Sequence, residues 1–350
     1  MVSEWMRNCK KLLEQIVVDA QKRDSSIDLL RFVGISFIIL AHVSAPEIVL
    51  QLRTFDVPMM FFISGLAYSG KVPDFSFQFL WHRIKRLIIP TYIFITAYYL
   101  IDILFKAIKG VNDVSIKSII DSYLLIGGIG YLWVIRVFLM IGILTPTLLF
   151  IADKLKNTRL LFVATMIWLS VFSLLITNHF GTEFVIVREF FYYAASYSLL
   201  FIWGVRAKKM SDKSLFANIA LFLFFFIAVM ATFFFVNHGH NYAINRYKYP
   251  PCWHFVLYGL FMSILLYLIV RKCRLNRINK WIQLIGSNTI WLYFYHILFV
   301  QTFENVNMHW VTRYFAVYIL SATVTLLQIF IADYLYSKIK HYHFLKYLKG

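Results

Sequence analysis

Asp28, Arg31 and His42 are three ionisable side chains in a stretch that is otherwise mostly apolar. On a helix turning 100° per residue, Arg31 falls at about 300° and His42 at about 320° relative to Asp28, so the three share a stripe about 60° wide. The rise from Arg31 to His42 is about 16 Å. An imidazole titrates near neutral pH and suits two tasks, general base towards a hydroxyl or nucleophile. Held in hydrocarbon, such a group costs a few kcal/mol, which makes it a functional candidate by default. Asp28 lies about 21 Å from His42 along the helix and cannot bond it. Ser25-x-x-Asp28 also fits a helix capping box. Arg31 is equally compatible with snorkelling to headgroups, and His42 with a structural buried imidazole.

Other polar groups recur along the chain. Arg83 and Arg86, in Trp81-His82-Arg83-Ile84-Lys85-Arg86 ahead of Pro90, lie one turn apart and can grip a phosphate bidentately; a positive-inside cluster has the same look. Ser64-Gly65, after Phe61-Phe62-Ile63, is a small polar break suited to close packing or to a ligand. Arg136 follows Tyr131-Leu132-Trp133, and His296 closes Tyr293-Phe294-Tyr295-His296. With His42 they are expected at similar depth in the outer half of the membrane, around a polar cavity open to the outside. Tyr247 and its neighbours carry aromatic rings in an external loop. Cys9, Cys252 and Cys273 are scattered, with no metal-ligand spacing and no disulfide framework.

Only membrane-spanning helices can position these groups. Of the 350 residues, 60% are hydrophobic and 15% charged, and the mean hydropathy is +0.69. A soluble domain is about 45–50% apolar and about 25% charged. The expected fold is all-α and polytopic, with about ten spans near 28–49, 55–70, 87–108, 131–152, 160–177, 189–206, 215–236, 253–270, 282–302 and 311–335. The formal charge of +18 first suggests nucleic acid. With ten spans, however, 25 of the 35 Lys and Arg fall on the side of the termini and 8 on the other. The positive-inside rule then explains the charge without nucleic acid and puts both termini in the cytoplasm. Residues 1–27 lack an apolar signal region and read as an amphipathic cytoplasmic arm bound to lipid. Residues 28–335 form the membrane domain, and 336–350 a basic cytoplasmic tail.

The ordered set Asp28-Leu-Leu-Arg31 with His42, Phe61-Phe62-x-Ser64-Gly65, Arg83-x-x-Arg86 with Pro90, Tyr131-Leu-Trp133, Tyr247-Lys-Tyr-Pro-Pro251 and Gly286-Ser287 through Tyr295-His296 resembles integral-membrane acyltransferase family 3. Members are multi-span O-acyltransferases that decorate bacterial surface glycans. The resemblance runs from residue 24 to about 300. The extracellular hydrolase-like domain that many members carry is not in this sequence.

The resemblance implies transfer of an acetyl group from cytoplasmic acetyl-CoA, with no metal, to a hydroxyl of an extracytoplasmic polysaccharide or lipid-linked sugar, in a bacterial cytoplasmic membrane. Arg31, Arg83 and Arg86 would bind coenzyme A phosphates, and His42 would act as general base or carry the acetyl group. Ser64 would orient the acyl group. Arg136, His296, Tyr293 and Tyr247 would position the acceptor or support the site, and Asp28 would order the mouth. Glycan-assembly proteins are the expected partners. A secondary transporter or flippase of a glycolipid or small solute remains the alternative, although no inverted repeat is visible.

Overall fold

A computed structural model describes residues 24–68, 76–110, 115–181, 183–236, 243–273, 280–338 and 347–348. Almost all of the N-terminal arm and most of the basic tail lie outside the described residues. In chain order the helices are α1 (Ser25–Leu40), α2 (Glu47–Leu52), α3 (Asp56–Leu66), α4 (Phe77–Ile108), α5 (Ile116–Tyr123), α6 (Trp133–Lys154), α7 (Thr158–Thr177), α8 (Tyr192–Ala207), α9 (Asp212–Val236), α10 (Trp253–Lys272), α11 (Lys280–Ser287), α12 (Thr289–Thr302) and α13 (Trp310–Lys338). A 3-10 turn (Gly130–Leu132) leads into α6, a π turn (Val187–Phe191) into α8, and a second 3-10 turn (Ile244–Tyr247) precedes α10. The fold is all-α, with no strand among the described residues.

Among the described residues, seven segments are long and apolar enough to cross a bilayer: Glu47–Leu66, Phe77–Ile108, Gly130–Lys154, Thr158–Thr177, Asp212–Val236, Trp253–Lys272 and Trp310–Tyr336. The other three expected spans coincide with shorter helices. α1 and α8 have 16 residues each and α12 has 14, against about 20 for a full crossing. Two breaks account for most of this. The expected first span is cut by a turn at residues 41–44, and the ninth by Asn288, whose backbone (φ −122°, ψ 34°) separates α11 from α12.

The chain folds as two compact units, residues 1–45, 84–135 and 275–350 forming the first, and 46–83 and 136–274 the second. In the first, α11 packs on α1 through Gly286. A Cβ there would lie 2.0 Å from the Asp28 carbonyl oxygen, so only glycine permits the approach. α13 reaches α1 through Tyr318, which meets Ser36 Oγ at 3.3 Å, and Phe94 of α4 stacks on Phe294 of α12 at 4.7 Å. The N-cap of α1 is Asp24, which accepts the Ser26 N–H at 3.2 Å. The alternative reading of Ser25-x-x-Asp28 as a capping box does not hold, and Asp28 pairs instead with Arg31.

In the second unit α3 and α8 cross glycine to backbone. A Cβ on Gly65 would lie 2.0 Å from the Phe201 carbonyl oxygen, and one on Gly204 1.9 Å from that of Phe62. Small residues let two helix backbones approach where lipid supplies no hydrophobic drive between them. Every residue of α8 is buried. By contrast, only 17% of the apolar window of α9 is buried, as expected of a helix facing lipid.

Candidate active site

His42 sits just beyond α1. The Ala41 N–H reaches the Phe37 and Ile38 carbonyls at 3.1 Å, and the His42 N–H reaches Ile39 O at 3.0 Å, so the last turn tightens and stops. Ser44 then adopts φ +58°, a left-handed conformation uncommon for a residue with a side chain. Pro46, at the N-cap of α2, closes the turn. The expectation of one straight helical stripe from Asp28 to His42 is therefore corrected: the stripe ends at Leu40. Arg313 of α13 braces the turn, donating to Ser44 Oγ at 3.1 Å and to the Val306 carbonyl at 2.8 Å.

The turn delivers His42 to a cluster of rings within the first unit. The Tyr131 ring meets it edge-on at 4.7 Å (80°), and the His296 ring lies 5.6 Å away, tilted by 35°. His296 also touches Tyr131 at 6.2 Å and Tyr293 at 5.0 Å. His42 is half-buried, whereas His296 is 0% exposed. Two further bonds fix the geometry. The Tyr293 hydroxyl donates to the Tyr131 carbonyl, and His296 Nδ1 bonds the Tyr293 carbonyl one turn back on α12. Of the three groups expected at one depth, His42, Arg136 and His296, the first and last meet within this unit, with Tyr293 and Tyr131 against them.

Asp28 and Arg31 are an ion pair at 3.2 Å, with the carboxylate buried and the guanidinium partly exposed. Arg86, on the first-unit part of α4, is exposed.

Ser64, Arg83, Arg136 and Tyr247 belong to the second unit. Ser64 Oγ donates to the Met60 carbonyl at 2.9 Å, the local bond a helical serine makes when no other partner claims it. The Arg83 guanidinium donates to the Tyr68 hydroxyl and lies over the Tyr68 and Phe79 rings at 5.0 and 5.4 Å. Arg136 is 3% exposed. It pairs with Glu189 of the π turn at 2.6 Å, between the rings of Phe190 (5.2 Å) and Tyr193 (5.9 Å). Tyr247 stacks on His254 at 4.0 Å, and Tyr249 is exposed.

Several polar residues were not legible from spacing. Glu189 is 53 positions from Arg136, and its only signal was an acid ahead of an apolar run. Arg53 and Asp56 form a buried pair one turn apart, Asp56 also accepting the Val57 N–H at 2.7 Å. Lys248 is buried near them. Desolvation pushes its ammonium down to about 8; Arg53 adds to the lowering and Asp56 opposes it. Among the described residues, no three of His, Cys, Asp and Glu gather into a metal-ligating group.

Long apolar helices enclosing a few costly polar groups define an integral membrane protein. The sequence model of acyltransferase family 3, described as an acyltransferase domain, matches residues 24–332, and the chain belongs to that family. The protein is accordingly a membrane acyltransferase. No curated protein and no solved structure matches the chain.

Proposed function

We propose that the protein transfers an acetyl group from cytoplasmic acetyl-CoA to a hydroxyl of an extracytoplasmic polysaccharide or lipid-linked sugar. About ten spans with both termini in the cytoplasm fit this vectorial task, and the distribution of Lys and Arg supports that orientation. The observation that carries the reading is the contact of His42 with Tyr131 and His296 in a chain of an acyltransferase family.

His42 takes the proton of the acceptor hydroxyl as its oxygen attacks the thioester carbonyl. The carbon–sulfur bond breaks, its electron pair leaves on sulfur, and His42 returns the proton to the thiolate. Arg31, Arg83 and Arg86 bind phosphates of the donor, a task for which planar guanidinium groups are suited. Asp28 supports this by holding Arg31. Ser64 orients the acyl group, and Arg136 and the Tyr247 loop position the acceptor.

The test is ester-linked acetate on surface glycan in cells carrying wild-type protein or His42→Ala, with equal membrane levels verified. Loss of acetate in the variant is expected, and normal acetylation overturns the role of His42. A transporter would leave acetyl-CoA unconsumed by the purified protein and its acceptor.

A further inference from the structure

The hydrogen bond of His296 determines which of its ring nitrogens carries the proton. The partner of Nδ1 is the Tyr293 carbonyl, which can only accept. In the neutral ring, Nδ1 is therefore the N–H and Nε2 is a bare lone pair; this tautomer is assigned from the bond. Nε2 is buried and has no hydrogen-bond partner among the described residues. A buried acceptor left unmatched is a cost that folded proteins seldom carry without a use.

The rings around His296 are those of Tyr293 (5.0 Å), His42 (5.6 Å) and Tyr131 (6.2 Å). Of these, His42 is the one whose ring becomes charged during reaction: one nitrogen takes the hydroxyl proton, and the N–H on the other becomes a cationic donor. We propose that His296 is the positioning partner of His42, its Nε2 lone pair receiving the N–H on the His42 ring nitrogen opposite the one that takes the proton of the acceptor hydroxyl. This rests on His42 being the general base. His296 gains no net proton; it orients His42 and stabilises the charge, as the third group of a catalytic triad does for its imidazole. The two rings are not bonded in the resting protein, and such contacts commonly tighten only in the reacting complex. Tyr293 and Tyr131 are the strut. The Tyr293 carbonyl fixes the tautomer, its hydroxyl ties α12 to Tyr131, and the Tyr131 ring bears on His42. The resemblance implies an acceptor or supporting role for His296; the bond at Nδ1 points it towards His42.

Two substitutions separate this role from a structural one. His296→Asn keeps an amide N–H for the Tyr293 carbonyl but has nothing at the Nε2 position, while His296→Gln puts an acceptor oxygen near it. In the purified full-length enzyme, His296→Asn is expected to lower kcat about a hundredfold with the KM for acetyl-CoA unchanged, and His296→Gln to recover much of the loss. A purely structural His296 predicts the reverse order, Asn better than Gln, and that result overturns the role. Full activity of His42→Ala would sink the base assignment and this role with it. Loss in His42→Ala beside an unaffected His296→Asn would sink only the role of His296. Independently of activity, tautomer-resolved 15N spectra of the protein in bilayers, assigned with His296→Asn, should show His296 protonated at Nδ1. A proton on Nε2 contradicts the proposal.

Discussion

Arg136 in the second unit and His296 in the first are both buried, yet they are satisfied differently. Arg136 has a carboxylate at 2.6 Å and aromatic rings on its flanks. Arg53 is likewise charge-paired with Asp56, although its Nε has no hydrogen-bond partner among the described residues. His296 is bonded on one nitrogen and open on the other. A buried charge with a counter-charge is at rest, because breaking the pair is what costs free energy. The comparison separates charges already matched within the second unit from the His42–His296 contact of the first, to which the proposed function gives the proton transfer. An open lone pair alone does not draw that line, since both ring nitrogens of His254 in the second unit are also buried without a hydrogen-bond partner among the described residues.

The largest expected effect tests the structural half of that contrast. Asp56→Ala strands the Arg53 guanidinium and should cost about 3–5 kcal/mol of stability, seen as a lower thermal midpoint in detergent. A midpoint within error of wild type would break the contrast. Glu189 is 23% exposed, so Glu189→Gln should act in the same direction and less.

The glycines give the next effect. Gly204→Val drives a side chain into the Phe62 carbonyl and should cost about 1–3 kcal/mol or more. Gly142 has nothing within 4 Å of a would-be Cβ, so Gly142→Ala should leave the thermal midpoint unchanged. Equal effects at the two sites would remove the close-packing account.

Donor binding is expected to be more modest. Arg83→Ala and Arg86→Ala should each weaken acetyl-CoA binding about tenfold, the scale of one charged hydrogen bond. Isothermal titration with acetyl-CoA checks this, and unchanged affinity in both variants would reject the phosphate assignment.

A pH dependence gives a further check. Folded Lys248 releases its proton near pH 8 and the unfolded residue near 10.5. Between those values the unfolded chain holds more protons, so stability rises with pH. Lys248→Met should flatten the rise in thermal midpoint between pH 8 and 10.5. An identical profile would show that the buried amine does not titrate there.

The all-helical class was readable in the sequence because long apolar runs leave the backbone no other partner in lipid. The family was readable from motifs in fixed order. The interruptions were not. The turn at His42 depends on Ser44 holding a conformation that its residue type does not advertise, and on Arg313, which arrives from 269 positions away. Gly286 was legible as a motif but not as the point where α11 meets Asp28. The contact of His42 with His296 joins a turn and a helix distant in sequence, so spacing could place both in the membrane and not against each other. Of the expected residues, His42, His296 and Tyr293 gather in the first unit. Arg136 has a partner of its own, and Ser64 spends its hydroxyl on its own helix.

The most direct test of the central claim is acyl transfer by purified protein in lipid vesicles, supplied with [14C]acetyl-CoA and surface glycan from cells lacking the protein. Wild type should move label into base-labile esters on the glycan, and an equal amount of folded His42→Ala should leave the glycan unlabelled. Wild-type labelling by His42→Ala would contradict the account.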